Sequence, residues 1–158
     1  MRSQPRRARI LLVADNATYV ELTLEAFGEV RLANQITVAR SGGEALDILF
    51  GPPSGPGRPR LVLPDLILLD LKMPGIDGFE VLRRVKTAPV LRRIPVIILT
   101  CSREEGDRAM TYDTGANSYL VKPISFEGML HIITKIHEYW LTINVGPPLP
   151  DDAGEAPA

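Results

Sequence analysis

The chain has 158 residues, enough for one ordinary domain and too few for two well-buried ones. Lys and Arg number 18 against 19 Asp and Glu, a net charge of −1 that lacks the basic excess of a nucleic-acid-binding domain. No apolar run approaches the ~18 residues of a membrane span, and the lone cysteine, Cys101, excludes an intrachain disulfide and a cysteine-based zinc site. A reducing, cytoplasmic setting is therefore expected, because the apolar run after the basic start is also too short for a signal-peptide core.

In chain order, the basic start (Arg2, Arg6, Arg7, Arg9) reads as a solvated, disordered arm over 1–7. An apolar strand is expected at 10–13, an amphipathic helix at 18–29, a second strand at 35–38 and a short helix at 43–50. The stretch GPPSGPGRPRLVLP at 51–64 reads as a loop or insertion. A third strand (66–69) precedes a helix at 79–86, and Pro95 leads into a fourth strand at 96–99 with a helix at 104–112. A fifth strand (118–121) and one long helix (126–145) complete the core. The tail at 146–158 is acidic and Pro/Gly-rich, with little to bury, and is expected to be disordered. Near-continuous apolar strands imply a parallel sheet covered on both faces. Strict alternation then gives an α/β, flavodoxin-like (βα)5 doubly wound fold, its order 2-1-3-4-5 taken by analogy with that fold.

In such sheets the functional crevice lies beyond the carboxyl ends of the strands. Strand one ends at Ala14-Asp15, strand three at Asp70, strand four at Thr100, and strand five runs into Lys122-Pro123. Any one of these could be a cap or a loop residue. Four of them, each ending a different strand, point to a site. Two carboxylates suit a hard divalent cation such as Mg²⁺. A carboxylate can also act as nucleophile and form an aspartyl phosphate, with the metal and an ammonium neutralising the phosphoryl oxygens.

The segments LLVADN (11–16), LLDLKMPGIDG (68–78), VIILT (96–100) and YLVKP (119–123) resemble a bacterial two-component response-regulator receiver domain, CheY-like, over 8–145. The resemblance implies that Asp70 is the phosphoacceptor. It implies that Mg²⁺ is held by Asp15, Asp70 and the backbone carbonyl of Lys72. Thr100, the Cys101 backbone N–H and Lys122 would bind the phosphoryl group, and Thr100 with Tyr119 would form the switch. Pro123 stands where the family has a cis peptide bond. The implied partner is a sensor histidine kinase, docking beside Asn16, Ala17 and Thr18. The implied role is a phosphoacceptor that promotes its own phosphoryl transfer and autodephosphorylation, rather than an enzyme. The extended loop, the run KTAPVLRRIPVIILT (86–100) and Tyr139-Trp140-Leu141 further resemble stand-alone regulators paired with phytochrome kinases. Output would then pass through the chain's own surface or by onward phosphorelay.

The family usually places two acids after strand one, whereas this chain has Ala14-Asp15. Weaker Mg²⁺ binding is expected, with Lys72 cancelling the remaining charge if it folds over the site. Lys72 and Ser102 flank the route of an attacking water in this family. On the last helix, Met129, Leu130, Ile133, Ile136 and Trp140 form the core stripe, while Ile132, Tyr139 and Ile143 widen the apolar arc. That extra width, together with the family's habit of pairing there, implies a homodimer. The competing reading is a degenerate, phosphate-independent receiver acting as a dimeric interaction module. An Asp-nucleophile phosphatase would need a second acid where Lys72 stands, and a flavin binder would not carry Asp15 in its first loop.

Overall fold

The computed structural model describes residues 8–31, 35–51, 63–143 and 146–148, excepting the side chains of Thr142 and Ile143. The expected arm at 1–7, most of the Pro/Gly-rich loop and the tail beyond 148 lie outside the described residues. Five strands, β1 (Ile10–Val13), β2 (Ile36–Ala39), β3 (Leu66–Leu69), β4 (Val96–Thr100) and β5 (Ser118–Val121), form one parallel sheet in the order β2-β1-β3-β4-β5. The helices are α1 (Ala17–Glu29), α2 (Gly42–Phe50), α3 (Gly78–Thr87), α4 (Glu105–Thr114) and α5 (Phe126–Glu138). The expected fold is the observed one. Observed boundaries differ from the expected ones by a residue or two, except at the end of the last helix.

Alternation along each strand divides the core in two, because successive side chains point to opposite faces. Leu11, Val13, Ile67, Leu69 and Ile98 pack under α2 and α3, with Leu46, Leu49, Val81 and Leu82 opposite them. Ile10, Leu12, Leu66, Leu68 and Leu99 pack under α1 and α5, against Phe27, Met129, Ile133 and Ile136. The central strands β1, β3 and β4 are buried throughout, as a sheet covered on both faces requires. Helix starts follow local chemistry: Asn16, Ser41, Asp77 and Ser125 each accept a backbone N–H three residues on. α4 ends at Gly115, whose φ of +118° suits a residue without Cβ. α4 is also the most lightly anchored helix, with Thr111 its one buried residue.

The last helix departs from the expected single run over 126–145. It is α-helical to Glu138 and then widens into a π-helical turn, Tyr139–Ile143. The i→i+5 hydrogen bonding of such a turn is wider than that of a regular α-helix. Trp140 and Leu141 both pack against the second core layer. Among the described residues, no helix is long and apolar enough to cross a membrane.

The loop after β3 is clasped between two helix starts. A Cβ on Gly78 would overlap the Asp70 carbonyl oxygen and lie 2.7 Å from the Leu71 Cα, and the Gly78 N–H donates to the Leu71 carbonyl at 2.9 Å. A Cβ on Gly42 would likewise overlap the Ile76 carbonyl. Because the obstructing atoms are backbone, neither clash is relieved by a side-chain rotation. Gly78→Ala is expected to cost about 1–3 kcal/mol in urea unfolding, whereas Gly106→Ala, which meets nothing within 4 Å, is expected to leave the midpoint unchanged or raise it.

Candidate functional site

Parallel pairing carries every strand's carboxyl end to one edge of the sheet. Val13 pairs with Leu69, and the Asp70 N–H donates to the Val13 carbonyl at 3.0 Å, so β1 and β3 deliver Ala14-Asp15 and Asp70 side by side. Thr100 pairs with Val121, and the Lys122 N–H donates to the Thr100 carbonyl at 2.8 Å. The structure therefore brings Asp15, Asp70, Thr100 and Lys122 to the same edge.

At its centre the Lys122 ammonium lies 2.7 Å from Asp70 Oδ2, with side chains only 6% and 9% exposed. The lysine comes from β5 and the aspartate from β3, so the pair passes over the end of β4. Thr100, fully buried, sits at that end, and its hydroxyl accepts the Ser102 N–H at 3.3 Å. Asp15 is half-buried, and its carbonyl accepts from the Arg40 guanidinium at 3.1 Å. Cys101 is exposed. Asn16, Ala17 and Thr18 are exposed beside the site.

Tyr119 is turned inward, partly buried against the first core layer, and its phenol donates to the Ser102 carbonyl at 3.0 Å. The Lys122–Pro123 bond is not cis as the resemblance implied: among the described residues no peptide bond is cis. Trans is the intrinsic preference of an X–Pro bond, and here the Pro123 carbonyl accepts the Tyr19 hydroxyl at 2.7 Å.

Lys72 does not fold its ammonium over the acceptor. Its Nζ pairs with Asp107 of α4 at 3.2 Å, the side chain 58% exposed, and lies 5.8 Å from the Phe79 ring centroid. Asp107 also accepts from the Ser102 hydroxyl at 2.6 Å. That hydroxyl, and after it the Lys72 ammonium, hold the Asp107 carboxyl below the usual carboxylate range. The pocket's own charge is thus two carboxylates, Asp15 and Asp70, against Lys122.

Two residues that the strand-end argument missed complete the site. Asp107 ties α4 to the β4–α4 loop. Tyr19, in the first turn of α1, lays its ring 4.3 Å from the Lys122 ammonium. Burial, then neighbouring Cys101, then the Asp70 charge push the Tyr19 phenol above its ordinary pKa. Helix positions carry no strand-end signal, so neither residue stands out from spacing.

Removing one member of a buried ion pair leaves the other unpaired. Lys122→Met and Asp70→Asn are therefore expected to be non-additive in urea unfolding, with a coupling of about 1–3 kcal/mol. Additive losses would show that the pair is not energetically linked.

The model of the response regulator receiver domain matches residues 10–134. The probable methanogenesis regulatory protein FilR2 of Methanothrix harundinacea is 42% identical over 138 residues, 87% of this chain and 86% of its own. Response regulator Rcp1 of Synechocystis is 35% identical over 132 residues, 84% of this chain and 88% of its own. Its Mn²⁺-bound structure superposes with a TM-score of 0.78, at 33% identity, covering 89% of this chain and 99% of that one. The phosphorylated cyanobacterial phytochrome response regulator RcpA superposes with a TM-score of 0.80, at 34% identity, covering 90% of this chain and all of its own. With a family model spanning most of the described fold and such relatives matched along most of their length, this chain belongs to the response regulator receiver domains.

Proposed function

We propose that this chain is a Mg²⁺-dependent phosphoacceptor switch that takes a phosphoryl group onto Asp70 from a sensor histidine kinase. The observation that carries this reading is the buried carboxylate–ammonium pair of Asp70 and Lys122, with the Thr100 hydroxyl at the end of the strand between them. A carboxylate oxygen of Asp70 attacks phosphorus; the new O–P bond forms as the N–P bond of the donor phosphohistidine breaks, and the imidazole nitrogen keeps the electron pair. Lys122, the Thr100 hydroxyl and the Cys101 backbone N–H would then face the phosphoryl oxygens. The chain acts in this reading as an acceptor that promotes its own phosphorylation and dephosphorylation, with no separate substrate to turn over.

The donor set suits a hard divalent cation: the Asp15 and Asp70 carboxylates and the Lys72 backbone carbonyl are all oxygens. Mg²⁺ held there would supply positive charge against the phosphoryl oxygens. Relatives seen with Mn²⁺ bound or phosphorylated support both halves of this assignment. Ala14 leaves the site with one carboxylate fewer than the family pattern. Mg²⁺ titration of the wild type beside Ala14→Glu is expected to show tighter binding in the variant; equal affinities would remove Ala14 as the cause of weak binding.

The exposed 16–18 segment offers the kinase a docking edge beside Asp70. The likeness to RcpA, a phytochrome response regulator, favours a phytochrome kinase as donor, acting in the cytoplasm. On the far side, a groove of about 430 Å³ between β5 and α5 is lined by Leu120, Ile132, Ile136, Tyr139 and Trp140. Tyr139 is 50% exposed there, and Ile132 is half-buried against the core; the side chain of Ile143 lies outside the described residues. This surface supports a homodimer through the last helix, with output by the surface itself or by onward phosphate transfer and without direct nucleic-acid contact.

Incubation with acetyl phosphate and Mg²⁺ is expected to add one phosphoryl group by mass, and Asp70→Asn to abolish the gain. A wild type that gains nothing would sink the switch and leave the phosphate-independent interaction module. Sedimentation of Tyr139→Glu is expected to give a monomer where the wild type gives a dimer; an unchanged mass would remove this surface from the interface.

A further inference from the structure

The Lys122 ammonium is held from two directions. One is the Asp70 carboxylate at 2.7 Å; the other is the Tyr19 ring, its centroid 4.3 Å away. A cation within about 6 Å of an aromatic face is attracted by the ring quadrupole, and more strongly where water is excluded. The lysine side chain is 6% exposed.

Tyr19 is itself fixed at three points. Its N–H donates to Asn16 Oδ1 at 3.0 Å, its carbonyl accepts the Thr23 hydroxyl at 2.6 Å, and its own hydroxyl donates to the Pro123 carbonyl at 2.7 Å. The third contact closes a loop. Pro123 follows Lys122 directly, so the residue that receives the ammonium also holds the backbone from which the lysine springs. Ala14, at the end of β1, brings no carboxylate to this corner.

We propose that Tyr19 is a positioning residue for Lys122, its ring the seat that keeps the ammonium over Asp70. The inference rests on the reading of Asp70 as phosphoacceptor. A ring holds an ammonium without a second full negative charge beside the acceptor. The lysine's charge then remains available to the incoming phosphoryl oxygens, while its position is set beforehand. The hydroxyl and the ring do separate work: the hydroxyl steadies the β5–α5 connection, and the ring steadies the ammonium.

The test uses the full chain with ¹³C-labelled lysine, comparing wild type, Tyr19→Phe and Tyr19→Leu. The ε-methylene protons of Lys122 are expected upfield in wild type and Tyr19→Phe, through the ring current, and to lose that shift in Tyr19→Leu. With acetyl phosphate and Mg²⁺, Tyr19→Leu is expected to take up the phosphoryl group about tenfold more slowly. Tyr19→Phe, which keeps the ring, is expected to recover most of that loss. Equal rates in Tyr19→Leu and wild type, or a Tyr19→Phe as slow as Tyr19→Leu, would overturn the role of the ring. If the wild type takes no phosphoryl group, the phosphoacceptor reading fails on its own. The Lys122 resonance then decides the ring's part alone: shifted upfield by Tyr19 supports the seat, and unshifted overturns it.

Discussion

A carboxylate and an ammonium buried 2.7 Å apart, just past the ends of β3 and β5, set the terms for everything around them. Taking two such ions out of water costs several kcal/mol each, and their attraction offsets this only with good geometry and further polar contacts. The parallel sheet supplies the geometry. Hydrogen bonds from Asp70 to Val13 and from Lys122 to Thr100 continue the ladders just beyond the last paired residues, so both side chains leave from rigid backbone. Gly78 closes the other side, its missing Cβ letting the start of α3 press on the Asp70 carbonyl. Apolar residues of similar volume would serve stability at least as well as such a pair. Its place in the fold is therefore what the proposed chemistry at the carboxylate would require, beyond what folding asks for.

The β4–α4 loop is the part of the edge best placed to report on that chemistry. Ser102 is its junction: its N–H reaches the Thr100 hydroxyl, its own hydroxyl reaches Asp107, and its carbonyl receives the Tyr119 phenol. Asp107 continues the chain of contacts to Lys72, two residues past the acceptor. A shift of the Thr100 hydroxyl toward a phosphoryl group would pull on the Ser102 N–H, and the same residue holds both Tyr119 and α4. Because α4 buries only Thr111, little packing opposes its movement. The site and the surface that would display its state are thus joined through one serine.

Much of this was legible in the sequence, for a definite reason. Once a doubly wound parallel sheet is recognised, topology alone gathers Asp15, Asp70, Thr100 and Lys122 on one edge, whatever the loops do. Strand ends are therefore readable from one dimension. Helix side chains are not, since their direction depends on how the helix is rotated against the sheet. Tyr19 and Asp107 carry no such signal, and whether Lys72 folds over the acceptor stays open in the sequence because its partner on α4, Asp107, is not visible there. The π-helical turn at Tyr139–Ile143 is a similar case: the apolar periodicity fits a continued α-helix equally well. The trans bond before Pro123 corrects a family habit that no local residue encodes.

The central claim is that Asp70, and no other group, forms the acyl phosphate. Borohydride reduction of the protein after treatment with acetyl phosphate and Mg²⁺ tests it directly, because an aspartyl phosphate is converted to homoserine while a free carboxylate is untouched. Peptide mass mapping is expected to find homoserine at position 70 alone. Homoserine at Asp15 or elsewhere, or none at all, would contradict the account.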